Sequence, residues 1–351
     1  MLTPGSKKWL RGSEQPSLPL IFRPAILGRI KPMYKINIEK SAGKIELPFL
    51  QRISRRFMKE KQLWMVCIPM IVFVLIFAYY PMYGVLVSFM DYIPGAPIIG
   101  SKWVGLKYFI EFFNSPDLEM IMRNTLAISG LNILFGFPAP IILALLLNEL
   151  QNRHFKKVVQ TVSYLPNFIS WVVAASLIFT LFGSEGVINR LIQDMGLTEE
   201  PVGFLSTGKY FWWLITMANI WKGVGWSAII YLSAMAGIDR ELYQAGAVDG
   251  LGRFGMVWHI TLPGISTTIL LLWILRIGGI LNAGFDQQLL IGNAMTREYW
   301  EVIDTYAYRY GIQLGRYSYA TAVGLFKSVI SILLIFVTNR ASKKLAGASI
   351  F

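Results

Sequence analysis

The chain has 351 residues, of which 54% are hydrophobic and only 15% are charged, and its mean hydropathy is +0.50. Soluble domains average roughly 45–50% apolar and about 25% charged residues, so the composition argues against a soluble protein with one large core. The net charge is +13, but 14 of the Lys and Arg residues precede residue 63, where only 4 acidic residues accompany them. The charge therefore does not indicate a folded basic face, and we expect no nucleic-acid partner.

The N-terminal part of the chain differs from the rest. Residues 1–50 are basic and are interrupted by several prolines, among them Pro4, Pro16, Pro19, Pro24 and Pro32, which predicts a disordered cytoplasmic leader. No apolar core of suitable length follows the early positive charges, so we expect no cleavable signal peptide. Residues 51–62 carry several Arg and Lys residues and predict a basic interfacial helix that enters the membrane. A translation start at Met33 or Met58 is an alternative that the sequence leaves open.

Six apolar blocks follow along the chain, each long enough for the about 20 residues that a membrane span requires. They lie at about 63–89, 122–147, 160–183, 210–236, 261–283 and 317–339. A spanning segment must satisfy its own backbone hydrogen bonds, which favours helices. The sequence therefore predicts an all-α polytopic membrane protein with six transmembrane helices. Its membrane domain would cover residues 63–340, and residues 341–351 would form a cytoplasmic tail.

The distribution of Lys and Arg between the loops predicts the orientation. If the N-terminus is inside, the four cytoplasmic segments carry 22 Lys and Arg residues, whereas the outer loops 90–121, 184–209 and 284–316 carry 7. Positive residues are retained on the cytoplasmic side of a membrane. We therefore expect a multi-pass membrane protein with both termini in the cytoplasm.

Polar side chains inside the predicted spans suggest a route for a solute. Asn219 and Lys222 lie in the fourth block, and Arg276 and Asn282 lie in the fifth. Charged groups at membrane depth are costly and usually face a cavity or a partner. We expect these four residues to line a translocation path that favours anionic or hydroxylated cargo. Snorkelling, or a salt bridge with a partner subunit, is the alternative for the two basic residues.

The predicted cytoplasmic loop 237–260 contains a short helix. Asp239 is a suitable N-cap, and Glu241 places a negative charge in the first turn. Gly250 and Gly252 should end this helix, and a second one at about 253–259 should lead into the fifth span. An apolar patch exposed to the cytoplasm normally needs a cover, which indicates a docking site for a partner. Folding of the patch onto the protein's own helices is the alternative.

The spacing within this loop is specific. Gln244-Ala245-Gly246 is followed by Gly250 and, nine residues later, by Ile260-Thr261-Leu262-Pro263. This resembles the EAA loop of ABC-importer permeases, written E-A-A-x3-G-x9-I-x-L-P. The first position is Gln instead of Glu, and the third is Gly instead of Ala.

Further segments between about residues 60 and 340 resemble the sugar-type permeases of binding-protein-dependent ABC importers. They are most similar to the branch of lipoprotein-linked sugar permeases and aldouronate permeases, which handles oligosaccharides and uronic-acid oligosaccharides. The matching segments are 101–106, 163–166, 241–245, 304–309 and 317–328.

The resemblance implies a type I ABC importer permease fold (MetI-like) and a defined set of partners. These are a second permease subunit in a heterodimer, two cytoplasmic ATPases and an extracytoplasmic solute-binding protein. The residues expected to couple to an ATPase are Glu241, Gln244, Ala245, Gly246, Asp249, Gly250 and Pro263. We expect the two glycines to let the ATPase surface approach closely. ATP with Mg²⁺ would be bound by the ATPases, and this chain itself would bind no cofactor.

Motifs of catalysis are missing from the sequence. There is no Walker A loop, no G-x-S-x-G elbow and no metal-ligand cluster, so we do not expect an enzyme. The predicted function is import of oligosaccharides, including uronate-containing ones, into the cytoplasm. Two alternatives stay open. One is a permease for peptides or amino acids. The other is a membrane enzyme acting on lipid-linked sugar, for which Asp91, Asp286 and Asp304 form no motif.

Overall fold

The structure, a computed structural model, describes residues 61–346. The predicted leader 1–50, almost all of the predicted interfacial helix 51–62 and the end of the tail from 347 lie outside the described residues. The α-helices are Lys61–Val74, Lys107–Phe113, Leu118–Leu131, Pro138–Glu149, Arg153–Tyr164, Trp171–Phe182, Val187–Asp194, Gly208–Ala236, Arg240–Val248, Arg253–Met256, Leu262–Gly264, Ser266–Gly278, Asp286–Ile291, Arg297–Trp300, Ile303–Tyr308 and Tyr317–Ala346. The 3-10 and π-helical segments are Leu75–Tyr79, Tyr80–Phe89, Asn132–Gly136, Leu165–Phe168, Val257–Thr261, Ala294–Thr296 and Arg309–Gln313.

The chain divides into two units after Val72. In the first unit, the described residues 61–72 are helical and include Pro69, and none of them is buried. The second unit contains everything from Phe73 onward, including all of the sites described below.

Several helices are suited to a membrane. Within residues 61–346, four are long and apolar enough to cross one: Lys61–Phe89, Leu118–Glu149, Trp171–Asp194 and Tyr317–Lys344. The pair Arg253–Gly264 and Ser266–Gly278 is bent by 63° and would add a fifth if it is one span. These features support a polytopic helical protein, but the predicted count of six is not reached by length and composition. The helix Gly208–Ala236, although 29 residues long, is not among these spans.

The third apolar block is not one continuous helix, contrary to the prediction for residues 160–183. The helix Arg153–Tyr164 ends in a 3-10 turn at Leu165–Phe168, and a new helix begins at Trp171. Pro166 cannot donate a backbone hydrogen bond, which weakens the helix at this point. The hydroxyl of Ser170 accepts from the backbone N–H of Val173 at 3.3 Å and so caps the new helix.

The segment 90–121, which the sequence predicts to be an outer loop, contains a small β-hairpin that the all-α prediction does not include. Met90–Asp91 and Lys102–Trp103 pair in antiparallel fashion. Two glycines in the connection adopt positive φ angles, Gly95 at 88° and Gly100 at 110°, and so allow the chain to reverse. The hairpin is followed directly by the short helix Lys107–Phe113.

The long helix Gly208–Ala236 organises much of the core. Phe211 and Ile215 belong to one buried apolar cluster, and Ala228 and Tyr231 belong to another. At Gly225 a side chain would overlap the backbone carbonyl of Ser163, so glycine permits close packing against the helix Arg153–Tyr164. The helix Gly208–Ala236 also forms one wall of the cavity described next.

Candidate functional site

A cavity of about 520 Å³ lies among three helical segments. Its walls come from Leu118–Leu131 with the adjoining π-helical turn, from Gly208–Ala236 and from Ser266–Gly278 with the chain that follows it. The polar side chains in the lining are Ser129, Asn132, Asn219, Ser227, Tyr231, Arg276, Asn282 and Gln287. Among the described residues that line it, there is no Asp or Glu. The cavity therefore offers hydroxyls, amides and one positive charge.

Three of the four predicted path residues meet in this cavity, namely Asn219, Arg276 and Asn282. The side chain of Asn219 accepts a hydrogen bond from the Nε2 atom of Gln287 at 3.2 Å. Within the part of the chain that the structure describes, the guanidinium of Arg276 has no hydrogen bond or ion pair. Ser129 is 5% exposed, and its hydroxyl also has no partner there. These unpartnered groups are available to a polar ligand.

The fourth predicted path residue, Lys222, does not line the cavity. Its Nζ atom donates to the backbone carbonyl of Asn167 at 2.9 Å and lies 5.6 Å from the centre of the Trp171 ring. Carbonyl groups at a helix break need partners from outside the helix, and the long stem of Lys222 reaches this one. The structure thus gives Lys222 a role in holding the turn at Leu165–Phe168, instead of the predicted place beside Arg276.

The loop between the long helix and the bent pair contains the helix Arg240–Val248. The carboxylate of Asp239 accepts from the backbone N–H of Glu241 at 3.0 Å, as expected of an N-cap. The helix ends in a Schellman motif, in which Leu251 N–H donates to Gly246 C=O at 2.9 Å and Gly250 N–H to Ala247 C=O at 3.1 Å. Gly250 has a φ of +78°, which favours glycine whatever lies nearby.

Gly246 has a structural role within the loop. It is buried, and a Cβ atom there would lie 2.8 Å from Ile260 Cδ1, 3.0 Å from Met256 Sδ and 3.1 Å from Leu251 Cδ1. The missing side chain lets the helix pack on its own returning segment. The loop itself occupies the space beside Gly246, and its predicted role in coupling to an ATPase stays a prediction.

The loop nevertheless has an exposed apolar face. Val248 is 88% exposed, and Phe254 is 92% exposed. All the predicted coupling residues apart from Gly246 are exposed as well, namely Glu241, Gln244, Ala245, Asp249, Gly250 and Pro263. Phe254 is not among the residues predicted from sequence, although a large aromatic side chain just after Gly252 is a usable signal. Two such exposed apolar side chains in one loop suggest a protein contact.

A hydrogen bond ties the loop to the beginning of the bent pair. The hydroxyls of Tyr243 and Thr261 lie 3.0 Å apart, and Thr261 is fully buried. On the other side, Ile238 packs so closely on Gly264 that a Cβ there would lie 2.7 Å from Ile238 Cδ1. A displacement of the loop would therefore pull directly on the segment that leads to the cavity.

A second polar cluster lies in the segment 284–316. Glu301 is 1% exposed, and its carboxylate accepts from Arg309 Nε at 2.6 Å and pairs with Arg297 Nη2 at 2.9 Å. Asp117 also pairs with Arg309, at 3.2 Å. Burial opposes the charge of Arg309, but the hydrogen bonds and charges of Glu301 and Asp117 outweigh it and raise its pKa. We name these four residues the outer charge cluster.

Residues 136–347 match the family described as the binding-protein-dependent transport system inner membrane component. The chain belongs to this family. It is 48% identical to protein LplB of Bacillus subtilis (strain 168) over 294 residues, covering 84% of this chain and 92% of that protein. It is also 43% identical to the polygalacturonan/rhamnogalacturonan transport system permease protein YteP of the same organism, covering 86% and 94%.

Solved structures agree with the sequence relatives. A crystal structure of a bacterial ABC transporter involved in the import of the acidic polysaccharide alginate contains a similar chain, with a TM-score of 0.77 and 38% identity over 84% of this chain and 99% of that one. A second crystal structure shows the bacterial alginate transporter in complex with an alginate pentasaccharide-bound periplasmic protein, with a TM-score of 0.77 and 37% identity over 85% and 100%.

These similarities confirm the predicted class. The protein is an inner-membrane permease subunit of a binding-protein-dependent ABC importer, it has the helical MetI-like permease fold, and it is not an enzyme. The resemblance found in the loop 237–260 is thus confirmed at the level of the family.

Proposed function

We propose that this protein forms half of the membrane path through which oligosaccharides, including uronate-containing ones, enter the cytoplasm. The names of its relatives support a carbohydrate cargo, since one is a permease for polygalacturonan and rhamnogalacturonan and another belongs to an alginate importer. The observation that carries the proposal is the polar cavity. Its hydroxyl and amide groups are the hydrogen-bonding partners that sugar hydroxyls require.

The proposed assembly contains a second, different permease subunit, two ATPases that bind ATP with Mg²⁺ and an extracytoplasmic binding protein. The cavity is only partly enclosed in the single chain, which agrees with a path completed by another subunit. The relative that binds a sugar-loaded periplasmic protein supports the external partner.

The proposed topology retains six spans with both termini in the cytoplasm. The helix Gly208–Ala236 is about 44 Å long at 1.5 Å per residue, which exceeds the about 30 Å of a bilayer core. Together with the bent pair, it would complete the six. The excess of Lys and Arg in the inner loops supports the orientation. Reporter fusions at Gly196 and Gly292 should read as external, and fusions at Asn152 and Gly250 as cytoplasmic.

We further propose that an ATPase docks on the exposed face of the loop 237–260. Val248 and Phe254 are the side chains most available to it, since each is about nine-tenths exposed. The contacts of Tyr243 with Thr261 and of Ile238 with Gly264 would transmit the movement of the ATPase to the bent pair.

The test is uptake by the complete complex in proteoliposomes. We expect the wild type to take up an oligosaccharide, and Phe254→Ala with Val248→Ser to lower both uptake and retention of the ATPase. Gly252→Ala is the matched control, because that position has open space around it and no positive φ. Uptake of peptides in place of oligosaccharides would contradict the proposed cargo. Unchanged ATPase retention in the double variant would contradict the docking face.

A further inference from the structure

The cavity contains one charge that the protein does not neutralise. Arg276 lies in its lining, where the described residues include no Asp or Glu. Two arginines outside the cavity do have a counter-charge: Arg309 pairs with Glu301, and Arg316 pairs with Glu111 at 2.5 Å. A cation at membrane depth is costly unless it has a counter-charge. The missing counter-charge is therefore informative.

The groups around Arg276 would suit the rest of a sugar ring. The hydroxyl of Ser129 is buried and has no hydrogen-bond partner among the described residues. A buried polar group of this kind needs a partner, which a ligand or a water molecule can supply. Asn219 and Asn282 add amide donors and acceptors to the same lining. A ligand that brings one carboxylate and several hydroxyls would satisfy this set.

We propose that Arg276 is the specificity-determining residue of the permease and binds the carboxylate of a uronate unit during passage. This rests on the proposed function, because it requires that the cavity is the route of an oligosaccharide. A guanidinium presents parallel N–H donors that match both oxygens of a carboxylate. A neutral sugar would leave the guanidinium unpaired and would cross more slowly.

The probe is a pair of ligands with the same sugar units: a trigalacturonate and its fully methyl-esterified form, in which each carboxylate is replaced by an uncharged methyl ester. Mannuronate and guluronate trimers serve as further acids. Initial uptake rates are measured in proteoliposomes that contain the complete complex and its loaded binding protein. The binding protein also selects cargo, so the quantity compared is the acid-to-ester rate ratio of a variant relative to that of the wild type. The selectivity of the binding protein is the same for both permeases and therefore cancels from this comparison.

The variants are Arg276→Gln and Arg276→Lys. Arg276→Gln should lower the acid-to-ester ratio by about tenfold, as expected from losing a hydrogen bond to a charged group, while ester uptake continues. Arg276→Lys keeps the charge but loses the paired donors and should give an intermediate ratio. Lys222→Gln is the control, because it removes a positive charge from the same membrane domain outside the cavity lining. It should leave the ratio unchanged.

The outcomes separate this inference from the proposed function. An unchanged ratio in Arg276→Gln would overturn the role of Arg276 and leave the proposed function standing. A wild type that imports neutral oligosaccharides but no uronate would also overturn that role, and of the proposed function only the import of neutral oligosaccharides would remain. If the wild type imports neither class, the proposed function itself fails. Carboxylate recognition would also be contradicted if Arg276→Gln lost uptake of the acid and of the ester equally while it retained the ATPase normally. In that case Arg276→Lys should show normal ester uptake, so that a general loss of function is excluded.

Discussion

Two polar regions of this protein handle charge in opposite ways. In the outer charge cluster, a buried carboxylate holds two guanidiniums, and Asp117 supports them from another segment. In the cavity, Arg276 lines a space that has no acidic residue among its described lining. The first arrangement joins parts of the chain that are far apart in sequence. The second leaves its charge open to whatever enters the cavity.

The difference has a physical consequence for mutations. Removing one partner of a buried ion pair leaves the other charge uncompensated and costs stability. Removing a group that has no partner costs little stability, because no bond is lost. Variants of the outer charge cluster should therefore affect folding, whereas variants of the cavity should affect transport. The predictions below test this contrast.

The largest effect is expected for Glu301→Gln. The side chain is 1% exposed, and its loss of charge leaves Arg297 and Arg309 with only the shared Asp117. The side chains of Arg297 and Arg309 are 44% and 25% exposed, so water can reach the guanidiniums that Glu301 leaves behind. Losing these charge-assisted hydrogen bonds should cost about 3 kcal/mol, so the purified protein in detergent should unfold at a clearly lower temperature. Thermal unfolding followed by circular dichroism provides the measurement.

Glu111→Gln is the matched control for that variant. Glu111 pairs with Arg316 at 2.5 Å, but both side chains are 39% exposed. Such a pair contributes about 0–1 kcal/mol. Equal losses of stability in the two variants would mean that burial does not distinguish the outer charge cluster from an ordinary surface pair.

An intermediate effect is expected within one helix, Leu118–Leu131. The Nδ2 atom of Asn124 donates to the carbonyls of Glu298 and Glu301, at 2.9 and 3.0 Å. Asn124→Ala would leave these carbonyls without that donor and should cost about 2 kcal/mol. One and a half turns further on, Ser129→Ala removes an unpartnered hydroxyl and should change stability by less than about 0.5 kcal/mol.

The two alanine variants should differ in which property they change, the unfolding temperature or the rate of uptake. Asn124→Ala should lower the unfolding temperature, and its remaining folded fraction should transport normally. Ser129→Ala should unfold like the wild type but show slower oligosaccharide uptake per folded complex. A stability loss in Ser129→Ala as large as that in Asn124→Ala would remove the contrast between the two regions.

The sequence predicts the cavity better than the outer charge cluster, for a physical reason. Arg276 and Asn219 are conspicuous because polar groups are rare in apolar spans. Glu301 and Asp117 lie in polar loops where charged residues are ordinary, and Arg309 meets Asp117 across 192 positions of sequence. No local pattern marks such a pairing, because it exists only once the outer segment has folded over the helices.

Lys222 and Gly246 illustrate a second limit of prediction from sequence. Both stand out in the sequence for sound reasons, one as a charge within a span and the other as part of the matched loop pattern. Their contacts depend on direction: the stem of Lys222 reaches a helix break, and Gly246 faces its own returning segment. A residue type and a spacing predict that a position is constrained, but they do not predict what constrains it.

A small effect at neutral pH is expected for Tyr108→Phe, next to the hairpin. The Tyr108 hydroxyl donates to Asp91 Oδ1 at 2.6 Å. Asp91 is exposed, so water can replace the lost donor, and the variant should lose only about 1 kcal/mol at pH 7. The measurement is the free energy of unfolding of both proteins across a series of pH values.

The pH dependence makes this prediction sharper. Burial, followed by the hydrogen bond to Asp91 and the negative charge of that residue, raises the pKa of Tyr108 from 10.0 to about 12. The folded protein therefore favours the protonated phenol, and this contribution to stability is complete below pH 10 and is lost as the pH rises toward 12. All other groups are the same in both proteins, so their contributions cancel in the difference. The stability difference between wild type and Tyr108→Phe should thus shrink between pH 10 and 12. A difference that stays constant across this range would show that the folded protein does not hold Tyr108 in a buried, hydrogen-bonded state.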